Sequence, residues 1–350
     1  MYAADSTKWH AANFSKACQK TFVLPSSNEN PEAYINGLID LIQQEHLDLI
    51  IPTSEETLPI SQNLHRLPCK VFCSPFDKII HLHNKWYFAE KLKNYGMKHP
   101  RTCLVNSEED LQKLSFKGTY CLKPSYSRAA THLFKVEAGQ EPPKINFQDK
   151  NPWIAQEWIE GRLHCTFSVC HEGQVLAHSV YPIQFSLSGH YCISFESIDH
   201  PKIQKWVQDF VAKENYTGQI AFDFIQTEDG EIYPLECNPR CTSGIHLFPP
   251  ELQLEQAYLN KNKDLITAPL GFKKQITVAM VMSGWRYSYE PQSWSSYLRE
   301  LLTTGDVLFS KKDPLPFFIE PLLFIHYVWK ARRMKMTIPS SFVYSSEWNG

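Results

Sequence analysis

The stretch Gly218–Arg240, GQIAFDFIQTEDGEIYPLECNPR, decides how the chain is read. Two largely apolar runs flank Asp229-Gly230, a dipeptide favoured in two-residue hairpin turns. Counting outward from that turn sets Glu228 against Glu231, Thr227 against Ile232, Phe224 against Leu235 and Asp223 against Glu236. Directly opposed side chains on a sheet have Cβ atoms about 4.5–5.5 Å apart, and like charges placed so repel. Asn238, two residues beyond Glu236, shares its face. Such a pair takes up a proton or holds a cation between its oxygens. Oxygen donors from Asp, Glu and Asn suit a hard ion, Mg2+ or Mn2+. The neighbours Ala221, Ile225 and Pro234 are small or apolar, which sharpens the repulsion. The competing reading is a solvated strand pair with surface acids. Cys237 points to the opposite face by the same alternation and reads as a small core thiol rather than a metal or redox partner of Cys241.

The chain has 350 residues, 43% hydrophobic and 21% charged, with a formal net charge of −2. That is room for two or three packed units, and no nucleic-acid partner is expected from the charge. The first residues, MYAADSTKWH, lack the basic-then-apolar pattern of a secretory leader, and no apolar run reaches the length of a membrane span. A cytoplasmic location is expected. Ten cysteines are scattered without a Cys-x-x-Cys, so reduced, mostly buried thiols are expected and zinc is not.

Upstream of the acidic hairpin, NPEAYINGLIDLIQQEH has helical spacing, LDLIIPT reads as a buried strand, SEETLPISQNLHRL as helix and CKVFCSP as strand. Helix–strand alternation implies a parallel sheet. The opening YAADS looks like the end of a strand, so this module reads as truncated. HNKWYFAEKLKNYGMKHP follows as a helix, with Asn84 as N-cap and Gly96 past its end. TYCLKP and WIAQEWI read as strands, CTFSVCHEGQVLAHSV as a hairpin turning at Glu172-Gly173, and PKIQKWVQDFVAKEN as an amphipathic helix. The expected fold class is α/β passing into α+β. In IPTSEET, Ser54 and Glu55 read as the cap and first-turn acid of a helix, with Glu56 left open.

Asp223 followed by LECNPR resembles the metal-binding signature of ATP-grasp enzymes, and the order of motifs over most of residues 1–250 agrees with that family. The resemblance implies an ATP-grasp fold. Its parts would be a pre-ATP-grasp αβ domain at 1–75, a small subdomain at 76–150, a core with the metal site at 151–250 and an extension at 251–350. It implies Asp223, Glu236 and Asn238 as ligands of Mg2+ bound with ATP. Lys85 and Lys123 would be the two cationic phosphate contacts, and Arg240 would reach the γ-phosphate or the acceptor carboxylate. IAQEWIEG resembles the adenine hinge. Gln156 or Glu157 would accept there through a backbone carbonyl, the Ile159 N–H would donate, and Trp158 and Ile159 would line the slot.

The sequence departs from the family pattern in three places. The loop after Lys123 has no glycine, and Arg128 would act there by charge. Leu163 and His164 stand where a ribose-binding Glu is expected, and the N-terminal module lacks a complete first βα unit. The activity implied is ATP-dependent ligation of a small-molecule carboxylate to an amine, through an acyl phosphate. The alternative is an ATP-binding regulatory module of the same ancestry. Relatives commonly dimerise through the N-terminal module. PLPFFIEPLLFIHYVWKARRM resembles an interfacial membrane segment, but its prolines, Glu320 and His326 favour burial as a cover over the acceptor pocket.

Overall fold

Alternating apolar residues on Gly218–Gln226 sort into two faces, and the rest of the molecule is arranged around that division. In the computed structural model, which describes residues 1–127, 132–147, 151–187, 191–261, 263–286, 288 and 293–348, this strand lies inside a five-stranded sheet. Its neighbours are Ile232–Asn238 on one side and Arg162–His171 on the other. Gln174–Pro182 and the short Ile266–Thr267 complete the order. The first four strands are antiparallel and the last pair is parallel.

Phe222, Phe224 and Cys237 face the core, where helices Lys85–Asn94 and Pro201–Glu214 cover the sheet. Phe210 meets Trp206 and Phe222 with ring centroids 5.2 Å apart in each pair, and Phe88 stacks on Phe222 at 6.1 Å. These rings bury the apolar face by area and by quadrupole geometry. Asp223 and Glu236 are left on the other face by the period of two.

The hairpin reaches the expected Asp223–Glu236 pairing by a route that differs from the count in two places. Its loop holds Glu228, Asp229 and Gly230, because the Thr227 N–H donates to Glu231 O at 2.9 Å and Gly230 takes the left-handed conformation, φ 79°. Near the turn, Gln226 therefore faces Ile232, Ile225 faces Tyr233 and Phe224 faces Pro234. A bulge at Leu235 then restores Asp223 opposite Glu236 and Ala221 opposite Asn238. Pro234 has no N–H to give the ladder, and prolines within sheets are confined to such irregularities and edges.

A second, four-stranded antiparallel sheet has the order Thr102–Val105, Trp153–Glu157, Tyr120–Pro124, Phe134–Val136. Trp153–Glu157 sits inside this smaller sheet, so a boundary at 150/151 cuts through it. At the N-terminus Tyr2–Asp5 pairs in parallel with Lys20–Val23, but a short 3-10 turn, Ala11–Phe14, connects them instead of an α-helix. Asn30 caps the helix Pro31–Glu45, its side chain accepting from the Ala33 N–H at 3.0 Å, and Leu49–Ile50 pairs in parallel with Lys70–Val71.

Near the C-terminus, PLPFFIEPLLFIHYVWKARRM forms one helix, Leu315–Met334, despite its prolines. Pro316 lies in the first turn, where its missing N–H has no helical partner to lose; Pro321 lies inside. All ten cysteines are unpaired, but only Cys73, Cys121, Cys170 and Cys237 are buried, fewer than the sequence suggests; the other six are half-buried.

Candidate functional site

The face of the large sheet that carries Asp223 and Glu236 meets the end of the strand Tyr120–Pro124 and the start of the helix Lys85–Asn94. Asn84 caps that helix by accepting from the Trp86 and Tyr87 N–H groups at 3.0 and 3.1 Å. The cap places Lys85 at the first helical position, where the backbone dipole disfavours a cation. Two acceptors hold it there. Its Nζ lies 3.2 Å from Glu236 Oε2 and donates to Ser127 O at 2.7 Å. The Lys85 N–H also donates to Ser125 O at 3.1 Å, which ties the helix start to the segment leaving Lys123.

Lys123 is buried, and burial is the main reason its pKa is lowered; Lys85 adds to that, while Glu236 and Asp223 oppose it. Arg128 lies outside the described residues.

The two carboxylates respond in opposite directions. Burial, then the charge of Glu236, pushes Asp223 up to about 7. Burial would raise Glu236 too, but Lys85 and Lys123 more than offset it and hold Glu236 at about 2. The pair therefore keeps one proton between about pH 2 and about pH 7. An unfolded chain releases both protons near pH 4. Above that, the folded protein binds more protons than the unfolded chain, and the pair's contribution to stability falls as pH rises toward 7; below it, the contribution rises with pH. Urea unfolding in the presence of a chelator should show this falling limb, and Asp223→Asn should flatten it.

Asn238 Nδ2 lies 3.5 Å from Glu236 Oε1, and Arg240 Nη2 donates to Asn238 Oδ1 at 3.3 Å. Arg240 also donates to Cys241 O at 3.1 Å, and its Nε is 3.5 Å from Glu55 Oε1. Glu55 is the acid that the structure brings into this cluster, buried against His83 Nε2 at 3.8 Å. Burial, Lys85 and Arg240 hold His83 at about 3, so its ring is neutral.

Glu56 takes the local role instead. Its Oε1 accepts from the Thr53 and Ser54 N–H groups at 2.8 and 2.9 Å. The expectation that Glu55 serves as the first-turn acid is thus reversed. Both residues begin the same turn, and only their side-chain directions tell them apart. Sequence reasoning also missed Cys165, which pairs across from Asp223 and hydrogen-bonds to it. Its alternation along Arg162–His171 was the available signal.

At the hinge, Gln156 is buried and its Nε2 donates to Thr102 Oγ1 at 3.1 Å. The Glu157 N–H donates to Arg101 O at 2.8 Å and the Trp158 N–H to Thr119 O at 3.0 Å, both within the smaller sheet. Trp158 and Ile159 are half-buried, with Lys135 Nζ 4.8 Å from the Trp158 ring centroid. The hinge therefore has a fixed backbone, a requirement for presenting hydrogen-bonding groups to a flat heterocycle.

The oxygen donors of Asp223, Glu236 and Asn238 fit a hard divalent cation, which would take the place of the shared proton. Among the described residues, no group of three or more His, Cys, Asp or Glu side chains is placed to hold a metal.

A family model described as an ATP-grasp domain matches residues 82–244. That match spans just under half of the chain, and the mixed α/β architecture is that of the ATP-grasp fold. An uncharacterized protein of Methanocaldococcus jannaschii is 30% identical over 169 residues, which are 47% of this chain and 42% of that protein. Solved structures share the fold at low identity. An L-amino acid ligase from Bacillus licheniformis has a TM-score of 0.51 and 16% identity, over 69% of this chain and 64% of that one. The ADP complex of N5-carboxyaminoimidazole synthetase from Staphylococcus aureus has a TM-score of 0.55 and 13% identity, over 70% and 65%. The biotin carboxylase domain of Hydrogenobacter thermophilus 2-oxoglutarate carboxylase, solved with MgADP and bicarbonate, has a TM-score of 0.52 and 12% identity, over 69% and 64%. The chain spans about two fifths of the length of the curated relative and just under two thirds of these solved chains.

Proposed function

We infer that the protein is an ATP-dependent ligase that activates a small-molecule carboxylate and transfers it to an amine. The observation that carries this reading is the single cluster of Lys85, Lys123, Asp223, Glu236, Asn238 and Arg240 at the meeting of two sheets. Lys85 and Lys123 would bind the phosphates as point charges, and the hinge Gln156–Ile159 would hold adenine. Asp223, Glu236 and Asn238 would hold Mg2+, with Mn2+ an alternative. When bound there, the ion would supply neutralisation of phosphate charge.

A carboxylate oxygen attacks the γ-phosphorus, the bond to the β-phosphate oxygen breaks, and ADP leaves. The amine nitrogen then attacks the acyl carbon, phosphate leaves, and the nitrogen loses a proton. Arg240, fixed by Asn238, Cys241 and Glu55, presents a planar fork suited to the γ-phosphate or the acceptor carboxylate. No covalent enzyme nucleophile is required, since the chemistry is positioning and charge stabilisation. The ring of His83 stays neutral, because burial, Lys85 and Arg240 all oppose its protonation, so it serves as a polar partner at this edge of the cluster and not as a base.

ADP formation measured across pools of carboxylic acids and amines tests the reading. The expected result is ADP released only with a matching acid, and ligated product only when an amine is added. Binding of Mg-ATP without turnover for any acid–amine pair would overturn it.

A further inference from the structure

The long helix Leu315–Met334 buries Pro316, Glu320, Leu323 and Ala331 on one side. Its opposite side carries Leu315, Phe318, Leu322, Ile325 and Trp329, each between 48% and 65% exposed. The steps alternate three and four, so these side chains form one continuous row about 21 Å long. No charged residue interrupts it. Beside the row lies an apolar cleft of about 260 Å³, lined in part by Val281, Met282, Phe318 and Pro321. Met282 and Val281 are themselves about half exposed, and nearby Trp285 stacks on Trp294 at 5.9 Å with both rings exposed. An apolar surface this continuous marks an interaction site rather than scattered exposure.

The charges around it select the partner. Between residues 305 and 336 every exposed charged side chain is basic: Lys311 and Lys312 before the helix, Arg332, Arg333 and Lys335 at its end. The acids of the same span, Asp306, Asp313 and Glu320, are half-buried or buried. The elements packed against the helix, Ala11–Phe14, Thr277–Ala279 and Ile338–Val343, contain no charged residue, and the acids that reach it, Asp5 and Glu29, act on the half-buried Tyr327 and Lys330 and not on the exposed row. Arg333 lies 5.3 Å from the Trp329 ring centroid and Arg286 4.5 Å from that of Trp285, so guanidinium groups sit against exposed indoles.

A second copy fits this pattern poorly. Paired antiparallel, the helices would set Lys311 and Lys312 against Arg332 and Arg333; paired in parallel, each basic group would meet itself. A convex apolar ridge with tryptophans and a basic border fits the interface of an anionic bilayer. Among the described residues no helix is long and apolar enough to cross a membrane, so the contact is peripheral.

We propose that the helix Leu315–Met334, with the adjoining Val281–Trp285 surface, docks the protein on membranes rich in anionic lipid. The inference stands apart from the ligase reading, because it uses none of the residues of the nucleotide cluster.

Flotation of the full chain with phosphatidylcholine vesicles, with and without phosphatidylserine, tests it over a range of salt concentrations. Binding is expected only with phosphatidylserine and should weaken as salt rises. Phe318→Glu/Ile325→Glu should lower the partition coefficient on the order of 100-fold by removing apolar burial. Arg332→Glu/Arg333→Glu should lower it on the order of 10-fold or more. All four positions are exposed, and unchanged thermal unfolding would show that the variants fold. Three results overturn the proposal: no flotation with anionic vesicles, flotation unaffected by either pair of substitutions, or a concentration-dependent dimer abolished by Phe318→Glu/Ile325→Glu without vesicle binding. Capture by acidic polypeptide in place of vesicles would assign the surface to a protein partner and also overturn it.

Discussion

Glu236→Gln is expected to lower ADP formation on the order of 10²–10³-fold or more, the range seen when one preorganised electrostatic contact is lost. The substitution keeps shape and removes one negative charge from a point where Lys85, Lys123 and Asp223 meet. Above about pH 7, where Asp223 is ionised too, the substitution also relieves a like-charge opposition on the sheet, which offsets part of the lost lysine contacts. Lys85 would keep its bond to Ser127 O at 2.7 Å. Two measurements separate the causes. Without nucleotide, the melting temperature should fall by several degrees, because buried Lys85 and Lys123 lose their counter-charge, a loss of about 3–5 kcal/mol when a buried pair is broken, offset in part by relief of Asp223. With saturating Mg-ATP the parent should gain apparent stability, about 2.7 kcal/mol at 100-fold excess over Kd, and the variant should lose most of that gain. A variant that turns over like the parent and keeps the Mg-ATP shift would place the cation elsewhere.

The facing carboxylates were legible because a period of two and one turn are enough to pair two strands. The way the pairing is achieved was not. The Asp229-Gly230 dipeptide suits a two-residue turn, but Gly230 instead closes a three-residue loop, and the bulge at Leu235 restores the register. The shift and the bulge cancel at Asp223 and Glu236, and any pair nearer the turn is displaced by one. A proline in a strand is a visible warning of such a bulge, whereas which residue absorbs it depends on packing against Phe222 and Phe224.

Glu55 and Glu56 show a different limit. Local rules treat both as first-turn acids, and the choice is made by partners far along the chain, Arg240 and the Trp348 N–H for Glu55. The long C-terminal helix was obscured because its exposed face is as apolar as its buried one. Hydrophobic periodicity reports a helix only when solvent and core lie on opposite sides. The boundary expected at 150/151 separates Trp153–Glu157 from the strands it pairs with for a related reason: a buried strand read alone does not say which strands flank it.

Gly161→Ala is the second substitution with a large expected effect, and it tests the hinge rather than the metal cluster. Gly161 joins the hinge Trp158–Glu160 to the strand Arg162–His171, whose first residue pairs with Gln226. A Cβ at 161 would lie 2.2 Å from Gln226 O, 2.7 Å from its carbonyl carbon and 2.8 Å from Ile225 Cγ2. The first two are backbone atoms of a strand held on both sides, by Arg162 and by Ile232, so no rotamer change relieves the overlap. The hinge must move away from the large sheet, and Glu157 and Trp158 with it.

Overpacking of this kind costs typically about 1–3 kcal/mol, and more where backbone must shift. A displacement of about 1 Å at a substrate-positioning element can lower turnover on the order of 10²-fold. Gly118→Ala is the control: a Cβ there meets nothing within 4 Å, so its stability should match or slightly exceed the parent's. Thermal unfolding and Mg-ATP titration of the two variants should therefore diverge, with Gly161→Ala both less stable and weaker in nucleotide binding. Parent-like affinity in a destabilised Gly161→Ala would separate the hinge from the nucleotide and move adenine to another wall of the cleft. Parent-like stability would mean that the strand Gly218–Gln226 yields at its end, in which case its grip on the Asp223–Glu236 pair is looser than its two flanking ladders imply.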